Sequence, residues 1–230
     1  MSEKGLLYLV ATPIGNLQDL SARMKDAFSN CDLIACEDTR ITRKLLAHLD
    51  IHKPLISYRE ENERKQSKFL SLEIRNGKKI VLVSDAGYPG ISDPGFSIVR
   101  ECRSQGLKII PVPGPNAAIT ALAASGLPTH NFLFLGFPPK GRVAFGNLLE
   151  KWKDFEGSLI FYQSKYKMPF TYEVLAGIFG GNRFMCVARE ITKIHESFVV
   201  GTISEVSGKS KDTSGKGEFT IVVAPEGFVL

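Results

Sequence analysis

The stretch that most limits what this chain can become is Ile80–Gly95, I-V-L-V-S-D-A-G-Y-P-G-I-S-D-P-G. Its first four residues are continuous, apolar and mostly β-branched. That is the pattern of a strand buried on both faces, as in a parallel sheet. The run stops at Ser84-Asp85-Ala86-Gly87, and Gly87, Pro89, Gly90, Pro94 and Gly95 exclude regular structure over the residues that follow. Ser97–Gln105 then reads as a helix with Ile98, Val99 and Cys102 on one side. A buried strand therefore delivers a long, polar, stiffened loop to the carboxyl edge of a sheet, where open α/β sheets bind ligands. The plainer reading is a connection with no ligand, but long loops in compact domains are usually functional.

The segments on either side repeat this strand–loop–helix rhythm. Leu6–Ala11 is an apolar strand that ends in Thr12-Pro13-Ile14-Gly15-Asn16-Leu17. Asp19 or Ser21 caps a helix over Ala22–Phe28. Asp32–Ala35 is a short strand leading into Cys36-Glu37-Asp38-Thr39-Arg40, and Ile41–Leu49 is a helix with Leu45, Leu46 and Leu49 on one face. Leu55–Ser57 is a third short strand. Arg64–Asn76 is an amphipathic helix closed by Gly77. Lys108–Val112 is a strand broken by Pro113-Gly114-Pro115-Asn116, followed by the small-residue helix Ala117–Ser125, whose amino end offers unpaired N–H groups to an acceptor. Repeated β-loop-α units mean a parallel sheet.

Past Pro128 the texture changes. Strands are expected at Asn131–Gly136, Ser158–Tyr162, Phe184–Arg189, Glu196–Thr202 and Glu218–Ala224, and helices at Val143–Trp152 and Phe170–Phe179. Ile203–Val206 begins a short helix, and Gly208–Gly217 is a Ser/Lys/Gly-rich loop. Several of these strands pair most simply as antiparallel neighbours. The expected organisation is two α/β domains, 1–115 with a mostly parallel sheet and 116–230 with a mixed sheet, and a ligand cleft between them.

Composition narrows the function classes. The chain has 230 residues, 43% hydrophobic and 23% charged, ordinary for a globular protein. The four cysteines form no C-x-x-C pair and sit inside apolar segments, which points to buried thiols in a reducing cytoplasm. No apolar run reaches about 18 residues and Met1-Ser2-Glu3-Lys4 leads straight into a strand, so neither a membrane span nor a signal peptide is expected. A net charge of +5 suits a polyanionic partner and equally a solvated surface. Gly208-Lys209-Ser210 resembles the end of a P-loop, but Ile203 stands where its first Gly is required, and no G-x-G-x-x-G opens a helix. His48 and His52 have helical spacing for a metal but lack a third ligand. Ser84, Asp85 and the four histidines give no hydrolytic triad.

Seven stretches taken in order carry a resemblance: Y-L-V-A-T-P-I-G-N-L at 8–17, C-E-D-T-R at 36–40, V-S-D-A-G-Y-P-G-I-S-D-P-G at 83–95, V-P-G-P-N-A-A-I-T-A-L-A-A-S-G-L-P at 112–128, F-L-G-F-P-P-K at 134–140, L-I-F-Y at 159–162 and A-R-E-I-T-K at 188–193. From Leu6 to Ala224 the chain resembles the bacterial ribosomal RNA small subunit methyltransferase I family, of the tetrapyrrole-methylase-like class. The resemblance implies a two-domain α/β fold, a cytoplasmic homodimer and S-adenosylmethionine as methyl donor. It implies transfer to the ribose 2′-hydroxyl of a cytidine in the decoding region of 16S rRNA in the small ribosomal subunit. It also implies cofactor positions at Pro13, Asp85, Ala86, Gly87, Ile91, Asn116, Ala117 and Tyr162. The chain departs from the family pattern at Tyr88, usually Thr, at Gln163, usually Glu, and at 57–63, where an H-x-x-N-E pattern is replaced by S-Y-R-E-E-N-E with no His. A small tetrapyrrole-like acceptor is the alternative substrate.

Methyl transfer to a ribose hydroxyl needs the acceptor oxygen held in line and a base or hydrogen-bond acceptor beside it. Glu37 and Asp38 rank first as substrate-side carboxylates, then Glu190, with Arg40 to hold an RNA phosphate or orient a carboxylate. The alternative for Glu37–Arg40 is internal ion pairing that fixes the loop. Asp85 meets the amino-acid or ribose end of the cofactor, or caps a turn. Asn116 touches the cofactor, or is an N-cap. Arg40, Arg43, Lys44, Arg64, Lys65, Lys68, Lys140, Arg142 and Lys165 are candidates for a basic rim. Tyr58 and Tyr88 either stack on a base or pack internally.

Overall fold

The computed structural model describes residues 5–209 and 217–230, so most of the loop expected at 208–217 lies outside the described residues. The chain divides into two compact units, one running to Asn116 and the other beginning at Ala117.

The first unit is a five-stranded sheet of β1 (Leu6–Val10), β2 (Leu33–Cys36), β3 (Leu55–Ser57), β4 (Lys79–Val83) and β5 (Lys108–Val112), in the order β3-β2-β4-β1-β5 and parallel throughout. Its helices are α1 (Ala22–Ser29), α2 (Thr39–His48), α3 (Glu63–Arg75) and α4 (Phe96–Ser104). Alternation on β4 explains why its sequence is apolar from Ile80 to Val83. Val81 and Val83 join Met24 and Phe28 of α1 and Leu46 of α2 in one core. Ile80 and Leu82 join Leu70 and Ile74 of α3 and Ile98 and Cys102 of α4 in the other. Helices thus cover both faces, as parallel crossovers require.

That arrangement fixes where loops collect. Register pairs Val83 with Cys36, Cys36 with Ser57, Leu9 with Leu82 and Val10 with Val112. The five carboxyl ends therefore finish almost level, and Thr12, Glu37, Tyr58, Ser84 and Pro113 begin their loops along one edge. After the neighbours β1 and β4 the chain leaves to opposite faces, into α1 and α4. Such a switch point opens a crevice at the strand ends of an α/β sheet.

The second unit is a mixed sheet of β6 (Phe132–Phe134), β7 (Ser158–Ser164), β8 (Phe184–Arg189), β9 (Ser197–Thr202) and β10 (Glu218–Val223), ordered β6-β7-β10-β8-β9. Only the β6–β7 pair is parallel. Phe145 and Leu149 of α6 (Arg142–Lys151), Met168 and Leu175 of α7 (Met168–Phe179) and Ile203 and Val206 of α8 (Ile203–Lys209) form one core with Leu159, Phe161, Met185, Val187, Ile221 and Val223. The small-residue helix α5 (Ala117–Ala124) lies against β7 and β10, with Ala118, Ala121 and Leu122 buried. The free thiols Cys31, Cys36, Cys102 and Cys186 are all buried. No helix of the described residues is long and apolar enough to cross a membrane, and among them no cluster of potential metal ligands occurs.

Candidate active site

The strand-tip loops of the first unit are knotted together by their backbones. Thr12 N donates to Gly87 O at 2.9 Å, and Gly87 N returns the bond to Thr12 O at 3.0 Å. Thr12 Oγ1 donates to Ser84 O, and Ser84 Oγ donates to Ala86 O and Gly87 O. Pro13, Asp85, Ala86 and Gly87 are therefore brought to one corner where β1 and β4 part. Gly87 sits at φ +77°, left-handed backbone that costs a side chain about 1–2 kcal/mol. Gly95, at φ +153°, is where the loop closes on itself: a Cβ there would stand 2.6 Å from Gly90 N. Ile91 lies on the outer part of this loop and is largely exposed.

Beside that corner the tip of β2 divides its two carboxylates between different tasks. Asp38 caps α2 by accepting from Arg40 N at 2.8 Å, and its carboxylate holds the Arg40 guanidinium through Nε at 3.0 and 3.1 Å and Nη2 at 2.5 Å. Arg40 thereby keeps the Asp38 carboxyl well below the usual range. The internal ion pair left open for this stretch is thus present, between Asp38 and Arg40. Among the described residues Glu37 forms no such ion pair. Burial pushes its carboxyl up, and the nearby Asp85 charge adds to the shift. Asp85 accepts from Asp38 N at 3.0 Å, and burial raises its carboxyl too.

Three further residues here were not singled out by sequence. Asp93, in the second half of the β4 loop, faces Glu37 and Asp85, and burial followed by the Glu37 charge pushes its carboxyl up to about 6. Glu63, at the start of α3, accepts through one oxygen from Gly95 N and Ser97 N, each at 3.0 Å, and from Tyr58 OH at 3.2 Å. It therefore caps α4 from across the chain. Burial opposes the Glu63 charge, but the two backbone donors outweigh it and hold the carboxyl low. Arg59 donates from Nε to Glu37 O at 2.9 Å. The signal for Asp93 was present in the S-D-P-G turn. Glu63 and Arg59 belong to a different loop from the groups they hold, and spacing does not reveal that.

In the second unit, Ala117 opens α5, and Asn116 immediately precedes it as the last residue of the first unit. Tyr162, on β7, is half-buried, with its ring 5.0 Å from Phe134 and 5.3 Å from Phe137. Glu190 is committed internally: it accepts from Glu218 N at 2.8 Å and Lys193 Nζ at 3.1 Å. Those contacts outweigh burial and hold its carboxyl low. Of the basic candidates, Arg142 is ion-paired with Glu173, while Arg43, Lys44, Arg64, Lys65, Lys68 and Lys140 are exposed. Tyr58 packs internally, 1% exposed, with its hydroxyl shared among Glu63, Ser67 and Ile98 N.

Comparison with known proteins shows the family. The sequence pattern of the Tetrapyrrole (Corrin/Porphyrin) Methylases matches residues 6–207. A protein of Halalkalibacterium halodurans named Ribosomal RNA small subunit methyltransferase I is 45% identical over 225 residues, 98% of this chain and 78% of its own length. The chain belongs to the ribosomal RNA small subunit methyltransferase I family. Members from Bacillus subtilis and Escherichia coli O157:H7 are 43% and 38% identical, each over 96% of this chain and over 76% and 78% of their own lengths. A solved diphthine synthase shares the fold with a TM-score of 0.72 at 14% identity, covering 95% of this chain and 89% of its own. A uroporphyrin-III-C-methyltransferase from Thermus thermophilus does so with 0.66 at 17%, covering 96% and 94%.

Within the small subunit methyltransferase I pattern, the departures at 163 and 59 now have physical settings. Gln163 is 3% exposed and donates to Thr171 Oγ1 at 3.0 Å, so it serves the core of the second unit. Arg59, standing where the family pattern reads His, faces the carboxylates at the strand tips.

Proposed function

We propose that this protein transfers a methyl group from S-adenosylmethionine to the ribose 2′-hydroxyl of a cytidine in the decoding region of 16S rRNA. The observation that carries the reading is the corner formed by the Thr12–Gly87 bridge and the Asp85 carboxylate, in a chain of the small subunit methyltransferase I family. The donor set suits the cofactor. A carboxylate fixed by a backbone N–H beside turns of small residues is a receptor for ammonium and ribose hydroxyl groups. When bound, S-adenosylmethionine supplies a methyl carbon on a positive sulfonium centre, open to in-line attack by an oxygen.

The residues of this chain do the rest. Pro13, Asp85, Ala86, Gly87, Ile91 and Asn116 are the proposed cofactor residues of the first unit, and Ala117 and Tyr162 those of the second. Positioning supplies much of the rate, because a hydroxyl held against the methyl carbon no longer loses translational freedom in the transition state. Glu37 is the proposed acceptor of the hydroxyl proton. Its carboxyl is raised toward the working pH, where a general base is most effective. Asp38 is occupied by Arg40 and Glu190 by Lys193, which leaves positioning roles to both. The protein acts as a cytoplasmic homodimer on the small ribosomal subunit.

The test is methyl transfer from labelled S-adenosylmethionine to assembled small subunits, with a uroporphyrin-type tetrapyrrole offered in parallel. Label entering 16S rRNA, with subunit affinity that falls steeply with salt, is the expected result. Salt-indifferent methylation of the tetrapyrrole, with no label in RNA, would overturn the assignment in favour of a small acceptor.

A further inference from the structure

The site holds two arginines at adjoining strand tips, and the structure treats them differently. Arg40 is 80% exposed along its side chain, yet its Nε and Nη2 are taken by the Asp38 carboxylate. Arg59 is also exposed. Its guanidinium uses only Nε, donated to the backbone oxygen of Glu37 at 2.9 Å, and among the described residues it forms no ion pair with a carboxylate. Its charge nevertheless lies close enough to favour the ionised forms of Glu37, Asp38 and Asp85, opposing the burial that pushes Glu37 and Asp85 up.

Arg59 is also held more firmly than an ordinary surface arginine. Its own N–H donates to Asn62 Oδ1 at 2.8 Å, Asn62 Nδ2 donates to Ser57 O at 3.1 Å, and the preceding Tyr58 N donates to Cys36 O at 2.8 Å. Backbone and Nε are both anchored, so little rotamer freedom remains to be lost when a ligand arrives. The Nη1–Nη2 edge of the fork is the part left for a ligand, and its geometry matches two oxygens of one anion.

We propose that Arg59, rather than Arg40, receives a phosphodiester of the acceptor RNA strand beside the reacting ribose. The proposal deepens the methyltransferase reading and rests on it. A phosphate there is drawn in by the guanidinium and kept from the carboxylates by it, so the same side chain places the strand and shields Glu37, Asp38 and Asp85 from the negative backbone. Basic residues elsewhere on α2 and α3 would add to affinity for the subunit, but among the described residues Arg59 alone is both anchored to the carboxylate-bearing strand tip and left with an open fork.

The experiment compares wild type, Arg59→Gln, Arg59→Lys and Arg40→Gln in two assays. One is binding of small subunits over a series of salt concentrations. The other is steady-state methylation, with S-adenosylmethionine affinity measured separately by calorimetry. Arg59→Gln is expected to raise KM for subunits about 10- to 100-fold, as loss of a charge-assisted bidentate contact does. It should leave S-adenosylmethionine affinity at the wild-type level and lower the salt slope of subunit binding by about one unit. Arg59→Lys should keep the slope and recover part of the affinity, because the charge remains while the fork is lost. Arg40→Gln releases the Asp38 carboxylate, so its expected effect falls on kcat, and it should leave the salt slope of subunit binding at the wild-type value. Unchanged slope and KM in Arg59→Gln would overturn the proposal, as would a change of slope confined to Arg40→Gln. Loss of S-adenosylmethionine binding in Arg59→Gln would reduce its role to support of the Glu37 backbone. Failure of wild type to bind subunits at any salt would instead sink the RNA reading, and this proposal with it.

Discussion

Glu63 offers the most quantitative test of how the loop after β4 is held. One of its carboxylate oxygens receives three donors, Gly95 N, Ser97 N and Tyr58 OH. Gly95 and Ser97 flank the first residue of α4, where backbone N–H groups have no partner within the helix. Tyr58 OH keeps Ser67 and Ile98 N if Glu63 is removed, so the loss falls mainly on the two backbone donors. Hydrogen bonds to a charged acceptor contribute about 1.5–3 kcal/mol each at best, and a part-buried setting lowers that figure. Glu63→Ala should therefore cost about 2–4 kcal/mol, and Glu63→Gln, which keeps an oxygen but not the charge, about 1–2 kcal/mol. In the folded state the backbone donors hold the Glu63 pKa below its ordinary value. The stabilisation is accordingly full above the ordinary glutamate range and fades as pH falls through the depressed value. Urea unfolding of wild type and Glu63→Gln at pH 7 and at pH 3.5 measures this. A midpoint difference at pH 7 that narrows at pH 3.5 is expected. Equal midpoints at pH 7, or a difference that does not narrow with acid, would refute the reasoning.

Three other outcomes follow from the same loops. Asp93 has its carboxyl raised to about 6 by burial, so the fold favours its protonated form. The penalty is absent below the unfolded value near 3.8 and complete above about pH 6. Asp93→Asn should then raise stability by about 1–3 kcal/mol at pH 8 and leave it unchanged at pH 3.5, as thermal unfolding at the two pH values will register. Gly87→Ala places a side chain at φ +77°; it should cost about 1–2 kcal/mol and weaken S-adenosylmethionine binding by calorimetry, whereas equal affinity would remove the corner from the cofactor site. Glu37→Gln should reduce kcat with little change in subunit affinity, because it removes a proton acceptor and no RNA contact, and an unaltered pH–rate profile would exclude Glu37 as the base.

Much of the fold was legible because burial leaves a local record. Val81 and Val83 face one core and Ile80 and Leu82 the other, which is why that run reads as a strand covered on both sides. Leu45, Leu46 and Leu49 mark the inner side of α2 at helical spacing. Ser21, one of two candidate caps for α1, is the one that accepts from Met24 N. Short turns left a fainter trace. The single 3-10 turns at Leu17–Asp19 and Lys165–Lys167 are too brief for periodicity to show, and α8 runs to Lys209 through Ser and Gly residues with low helix preference. The strand-tip loops were visible as polar, glycine-rich interruptions, and the parallel register brings them to one edge of the sheet. The allocation of charges within them was not visible. Asp38 pairs with Arg40 while Glu37, one residue earlier, does not, and only the backbone at the tip of β2 distinguishes them. Glu190 ranked next after Glu37 and Asp38, and its pairing with Lys193 and Glu218 N depends on β8 and β10 being neighbours.

The claim beneath all of this is that the strand-tip carboxylates serve transfer to a ribose oxygen. Small subunits methylated with labelled S-adenosylmethionine should be digested to nucleosides and the labelled nucleoside identified by mass and chromatography. Label in 2′-O-methylcytidine is the predicted result. Label on a base carbon or nitrogen, or in no nucleoside at all, would contradict the account.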